Sequence, residues 1–264
     1  CEVLSGSLVP DDLVHLVFQH DEYRDNYLYT HSVNVCLVAV RIARELNFSK
    51  SAMQELIIAS LFHDIGMMKI STDIWNKDGG LSGGEYEEVR KHPARGEEIF
   101  KSLSGISEVV PTVIGQHHEK ADGSGYPNRL TKDNIHFMAR LIGLVDSYVA
   151  RIHTRLWRPR YLPDKAIQEI LDQEGNYYDP YFMKAMLRYI SIFPVGSWVR
   201  ISSGEIGNVV RPNEVIPMRP VLSVVFDRKG VKLGNPRMID LSKQLLIHVE
   251  ECIEPEMLEV EVEK

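Results

Sequence analysis

Between His136 and Ile152 the chain reads HFMARLIGLVDSYVARI, and this run constrains the fold more than any other. Its apolar residues recur at helical spacing, which predicts a helix buried on most of its circumference. One carboxylate, Asp146, stands in its middle. The helical neighbours of Asp146 at i±3 and i±4 are Gly143, Val149, Ile142 and Ala150, none able to pair with it. A buried ionised carboxylate without a partner is costly and tends to protonate instead. The fold must therefore bring Asp146 a partner from elsewhere: a metal ion, an arginine, a histidine or a backbone cap.

The chain offers ten histidines. His15, His20, His136, His153 and His248 stand singly on ordinary amphipathic segments and read as surface or satisfied core residues. The other five are His31, His63, His92, His117 and His118, all on or at the ends of predicted helices. His63 is followed by Asp64, and His117 and His118 are adjacent. Inward-facing histidines and carboxylates on several helices are how bundles build dinuclear metal sites. Five histidines and two aspartates over-supply one tetrahedral ion, whereas two ions sharing a carboxylate fit the count. Neutral imidazole suits zinc, iron, manganese and nickel. Paired ions serve phosphoester hydrolysis by clamping the attacking and leaving oxygens.

Up to about residue 192 the pattern is helical. Asp11 and Asp12 open a short apolar helix ending near His20. Thr30 or Ser32 caps the next, with Val33, Leu37, Val40 and Ala43 or Arg44 at helical spacing. Ser49 or Ser51 begins SAMQELIIASLFHD, which runs into Gly66 and places His63 and Asp64 on a helix. The four glycines of IWNKDGGLSGGE (74–85) mark a loop. Ser82 or Gly83 then starts a long amphipathic helix through Phe100, and Ser107 caps one reaching His117 and His118. Pro163 and Pro180 stand near the first turns of two more. From Phe193 the stretch FPVGSWVRISSGEIGNVVRP alternates apolar and polar residues, and VLSVVFD and QLLIHVEE read as further strands. The fold class is thus mainly α: a helical domain over 1–192, a small antiparallel β domain over 193–250, and an acidic tail over 251–264 expected to fray.

A net charge of −7 and a pI near 5.8 argue against a general nucleic-acid binder. Cys1, Cys36 and Cys252 form no CxxC pair, which argues against a thiolate zinc site or disulfide framework and for a reducing compartment. No apolar run approaches the ~20 residues of a membrane span, and no signal peptide is legible, so the expectation is a cytoplasmic protein. The chain opens on Cys1 rather than methionine, which leaves open upstream sequence and, with it, any regulatory domain.

HDIG at 63–66, HPARG at 92–96, HHEKADGSGYP at 117–127 and Asp146 stand in the order seen in HD-GYP domains. The chain resembles that family from about Thr30 to Ile190, including the late segment YYDPYFMKAM. These are bacterial phosphodiesterases of cyclic di-GMP within the HD phosphohydrolase superfamily. The resemblance implies a helical HD-type bundle in which His31, His63, Asp64 and Asp146 hold one metal ion. Asp64 then bridges to a second, held by His92, His117 and His118. Two divalent ions, iron or manganese, are implied, with a water or hydroxide between them as nucleophile and Asp64 and His63 as catalytic residues. Cyclic di-GMP would be cut to pGpG and on to GMP. Tyr126, Gly123 and Gly125 of the GYP loop and Arg155 and Arg158 would contact it. The glycines allow tight turns in a flexible loop, and Pro127 holds Tyr126 extended, presenting its ring or its hydroxyl. A GGDEF-type diguanylate cyclase docked through that loop and a homodimer are the implied partners.

Three positions depart from the family pattern. The lysine of HDIGK is Met67, which neither carries charge nor donates a hydrogen bond; Lys69 lies two residues on. The aspartate usual three residues after the metal aspartate is Val149. The glutamate with which some members bind a third metal is Tyr27, so two metals are expected. Met67 and Val149 leave two other readings open: a weak or inactive cyclic-dinucleotide-binding module that regulates a partner, and a phosphohydrolase for another nucleotide such as a mixed cyclic dinucleotide. In the β segment no polar cluster stands out, and its alternatives are packing on the helical domain, dimerisation, or contact with a further domain.

Overall fold

A computed structural model describes residues 27–75, 77, 79–152, 161–174, 176–189, 193, 195–213 and 215–253. The expected helix over 11–20, Arg155, Arg158 and residues 254–264 of the acidic tail lie outside the described residues, whereas 251–253, expected to fray with that tail, belong to a strand. The chain divides into two units, Cys1–Tyr161 with Glu169–Met186 and Leu162–Gln168 with Leu187–Lys264. The first is helical: α1 (Tyr27–Glu45), α2 (Lys50–Leu61), a 3-10 turn (Ile65–Lys69), α3 (Thr72–Trp75), α4 (Gly83–Val89), α5 (His92–Lys101), α6 (Val109–Gln116) and α7 (Phe137–Ile152). Two later helices, α8 (Pro163–Glu174) and α9 (Pro180–Tyr189), each begin on a proline. Proline costs nothing there, because the first helical N–H has no intrahelical partner.

Helix α7 is the central post. Leu141, Ile142, Leu144, Val145, Tyr148 and Val149 are fully buried, and α7 packs against α1 and α6. Helix α1 begins by Tyr27, not at a Thr30 or Ser32 cap. Its buried stripe of His31, Val35, Val38 and Ile42 keeps a helical period, whereas Val33, expected on that face, is exposed. Ser49 caps α2, accepting from the Ala52 N–H at 3.2 Å, and that helix stops at Leu61. His63 and Asp64 therefore sit beyond a helix end, before the 3-10 turn, rather than within a helix.

The long helix expected over 83–100 is two. Ser82 and Glu85 form a capping box on α4, but the chain breaks at Arg90 and Lys91 before α5. Pro93 is the physical reason: it has no N–H to give to the Val89 carbonyl four residues back, and its ring crowds that carbonyl. The turn after Asp64 packs directly on α5. A Cβ on Gly66 would lie 1.9 Å from the His92 carbonyl oxygen, so only glycine fits.

The second unit carries an antiparallel five-stranded sheet in the order β4-β3-β2-β1-β5, from β1 (Trp198–Ile201), β2 (Ile206–Arg211), β3 (Val221–Phe226), β4 (Lys232–Asp240) and β5 (Val249–Ile253). Alternation located β1 to β3, with Val199, Ile201, Leu222 and Val224 turned inward. The strand expected over QLLIHVEE begins only at Val249, because the preceding segment turns and Arg219 holds the carbonyls of Leu241, Gln244, Leu245 and Ile247. Strand β4 went unread. It lies at the sheet edge, is mostly exposed and contains Pro236, so it needs no apolar alternation.

Gly66→Ala is expected to destabilise the protein by about 3 kcal/mol, as a backbone clash that no rotamer relieves. A urea-unfolding midpoint within error of wild type would show that the turn can move off α5.

Candidate metal centre

Seven polar side chains converge at the ends of the helices around α7. His31 comes from α1, His63 and Asp64 follow α2, His92 opens α5, His117 and His118 follow α6, and Asp146 projects from α7. Two groups have mutually close ligand atoms, all within 4.8 Å of one another: Asp64 with His92, His117 and His118, and His31 with His63 and Asp146. Asp64 faces both, with Oδ2 3.3 Å from His63 Nε2 and Oδ1 3.1 Å from His92 Nε2 and 3.8 Å from His117 Nε2. Asp146 finds its partner in His31, Oδ1 to Nε2 at 2.8 Å, and its Oδ2 is 3.9 Å from His118 Nδ1.

Three of the imidazoles are set by one device. The Nδ1–H of His63 donates to the Ser60 carbonyl at 2.8 Å, that of His92 to the Val89 carbonyl at 2.7 Å, and that of His117 to the Ile114 carbonyl at 2.6 Å. A carbonyl can only accept, so each Nδ1 carries a proton and each Nε2 is the atom turned to the centre, its lone pair available to a metal once any proton there is displaced. These carbonyls belong to the last turns of α2, α4 and α6, whose C=O groups lack intrahelical donors.

The donor set fits a cation. His92 Nε2 and His117 Nε2 lie 3.2 Å apart, and two lone pairs at that distance repel unless a positive charge lies between or beside them. His63 Nε2 is buried and completes no hydrogen bond. Oxygen and imidazole nitrogen together suit first-row divalent metals.

Burial works against charge on His63, yet Asp64 and Asp146 override it and push the ring up to about 9. Burial likewise opposes ionisation of Asp64 and Asp146, but the histidines around them hold both carboxyls well below the usual range. Burial, reinforced by neighbouring imidazoles, pulls His117 and His118 down, so both are neutral and ready to ligate.

The GYP loop is pinned, not flexible. Glu119 is buried and its carboxylate accepts the backbone N–H groups of Asn128 at 2.6 Å and Leu130 at 2.8 Å. Gly123 has a φ of +82°, and a Cβ on Gly125 would meet Lys120 N at 2.3 Å. The Tyr126–Pro127 peptide is cis. Tyr126 stacks on His118 with ring centroids 4.8 Å apart, and the Arg90 guanidinium lies 4.7 Å over the Tyr126 ring. Burial, then the nearby carboxylates, raises the Tyr126 hydroxyl above its ordinary range, so it stays protonated. Sequence reasoning missed Glu119 and Arg90. The only signal was an acid directly after the paired histidines.

A cavity of about 860 Å³ opens over the centre, lined by His31, Asp64, Met67, His92, His117, His118, Tyr126 and Asp146 among others. Met67 is on its wall. Val149 is buried in the core and is not among the lining residues, whereas Ser147 and Arg151 of α7 are. Position 149 is therefore a core position in this chain and not part of the cavity wall.

Residues 18–182 match the family model of the HD domain, and residues 198–261 that of a KOW domain associated with HD domain. The chain is 32% identical over 219 residues to the cyclic di-GMP phosphodiesterase PA4108 of Pseudomonas aeruginosa, covering 83% of this chain and 53% of that protein. It is 27% identical over 219 residues to the cyclic di-GMP phosphodiesterase PdeB of Borreliella burgdorferi, covering 83% and 56%. It therefore spans about half the length of these relatives. Among solved structures, Bd1817, a HDG"Y"P protein from Bdellovibrio bacteriovorus, shares the fold with a TM-score of 0.59 at 17% identity, over 70% of this chain and 59% of that one. Among the described residues no helix is long and apolar enough to cross a membrane.

In the folded, metal-free protein the Asp64 and Asp146 carboxylates overcome burial and push His63 up to about 9 from its ordinary 6.5. Its proton stabilises the fold fully below about pH 6.5 and the contribution disappears as pH rises through about 9. The thermal midpoint of chelator-treated protein is therefore expected to fall between pH 7 and 9, while divalent-metal affinity rises over the same interval because the metal displaces that proton. Thermal melts with and without Mn²⁺ check both, and a flat metal-free profile contradicts the assignment. Glu119→Ala, which strands two backbone donors, should cost about 1–3 kcal/mol and speed hydrogen exchange at Asn128 and Leu130.

Proposed function

This chain belongs to the HD domain family, in its HD-GYP branch, and from that premise we propose that it is a metal-dependent phosphodiesterase opening cyclic di-GMP to pGpG, with GMP as a further product. The observation that carries the reading is Asp64, whose two carboxylate oxygens face two separate groups of ligands. His31, His63, Asp64 and Asp146 would hold one divalent ion, and Asp64, His92, His117 and His118 a second, iron or manganese. Such ions supply, when bound, Lewis acidity toward a phosphate and a lowered pKa for water.

The protein's own contribution is placement. The helix-end carbonyls keep the three Nε2 atoms aimed inward before any ligand arrives, so little reorganisation of the rings remains for the reaction. Tyr126, kept protonated by burial, offers its hydroxyl as a donor to a phosphate oxygen. Arg155 and Arg158 remain proposed phosphate contacts, since an arginine fork matches phosphate oxygens. Glu119 fixes the loop that carries Gly123, Gly125 and Tyr126, and a rigid loop of this kind is also a suitable docking edge for a diguanylate cyclase.

Met67 favours a second reading. It stands on the cavity wall where a lysine would meet the developing charge, and the loss of one such contact slows catalysis on the order of 10²-fold. A chain that binds the nucleotide and regulates a partner needs no such lysine.

Protein loaded with Mn²⁺ or Fe²⁺ is expected to hydrolyse cyclic di-GMP, and the His63→Ala, Asp64→Ala double variant is not. Full metal content with no turnover above that variant, together with tight calorimetric binding of intact nucleotide, would establish the binding module instead. Met67→Lys should raise kcat on the order of 10-fold or more. A parallel assay with mixed cyclic dinucleotides decides the base preference.

A further inference from the structure

A cleft that holds a nucleotide phosphate at its floor must also hold the base, and proteins commonly do so by stacking it on an aromatic ring. Among the described residues, three tyrosines line the cavity: Tyr86, Tyr126 and Tyr178. Tyr126 is already engaged through its ring, on which His118 stacks at 4.8 Å and over which Arg90 lies at 4.7 Å. Tyr178 is half-buried beside Asp179, which anchors its segment through Lys132 and Arg140. Tyr86 differs from both. It is 52% exposed while lining the cavity, as is Leu81 at 39%, so a large apolar side chain is left in water at the rim.

The surroundings of Tyr86 suit a planar guest. The Arg90 guanidinium lies 5.8 Å from the Tyr86 ring centroid, the same cation that covers Tyr126, so one arginine steadies both rings. Three glycines stand among the cavity-lining residues that precede Tyr86 in the chain. A Cβ at any of them, Gly79, Gly80 or Gly83, would meet nothing within 4 Å, which leaves open space beside them. The capping box of Ser82 and Glu85 fixes the helix start just before Tyr86, and Lys77 bonds Glu85 at 2.7 and 2.9 Å.

We propose that Tyr86 is the base-stacking residue of this cleft, holding one purine of the bound cyclic dinucleotide against its exposed face. This rests on the cyclic-dinucleotide reading above and assigns that reading a specificity residue. Tyr126 then acts through its hydroxyl and Tyr86 through its ring.

The test uses the full chain loaded with Mn²⁺, comparing wild type with Tyr86→Phe, Tyr86→Leu and Tyr86→Ala. Metal content and thermal midpoint, measured for each, show that the fold and centre persist. The probes are cyclic di-GMP and a cyclic dinucleotide carrying 2-aminopurine, whose fluorescence is quenched on stacking. Wild type and Tyr86→Phe should quench the probe. Tyr86→Leu and Tyr86→Ala should not, and should raise KM or Kd for cyclic di-GMP on the order of 10-fold, with a smaller effect on kcat. Quenching and affinity unchanged in Tyr86→Ala would overturn the assignment while leaving the cyclic-dinucleotide reading intact. No binding of either probe by wild type would overturn both.

Discussion

One hydrogen bond, repeated three times, holds the centre in shape: an imidazole Nδ1–H given to a carbonyl at the C-terminal turn of a helix. His63, His92 and His117 each use it, on α2, α4 and α6. Helix ends leave their last carbonyls without donors and carry partial negative charge. Here both properties serve the same purpose. The unfilled carbonyls fix the tautomer of each ligand, and the three helix ends direct negative potential toward a place that takes cations. Pro93 takes part in this. By withholding its N–H it leaves the Val89 carbonyl to His92, so the break between α4 and α5 and the orientation of a ligand have one cause.

Much of this was legible in the sequence, and the failures have physical causes. The apolar run around Asp146 announced both the central helix and a carboxylate in need of a partner, and His31 supplies one at 2.8 Å. The seven residues that motif order marks as candidate ligands come together in space. What periodicity could not give was where helices stop. His63 and Asp64 follow an apolar run without interruption in sequence, yet the chain has already left the helix, which ends at Leu61 with Phe62 as its C-cap. Strand β4 was invisible for the opposite reason: an exposed edge strand has no buried face to leave a pattern. The clamp by Glu119 depends on backbone donors nine and eleven residues away, a distance at which no local rule operates.

The departures at Met67 and Val149 carry different weight once placed in the fold. Val149 faces the core and leaves the cavity lining to Ser147, Ala150 and Arg151. Arg151 is itself held by Glu169 at 2.8 Å and by Ser147. Met67 lies on the wall of the cleft and removes a charge from it. Of the two departures, only Met67 is therefore a residue of the cavity wall.

Gly66 gives the centre a mechanical property. Its Cα lies so near the His92 carbonyl that a single methyl group would overlap it. The backbone bearing Asp64 and the backbone bearing His92 thus meet without side chains between them to act as a cushion. Two stretches that look like independent signatures, HDIG and HPARG, are one rigid joint, and a displacement of either carries the other with it. The spacing between the Asp64 and His92 segments is therefore a dimension of the main chain, set by backbone against backbone.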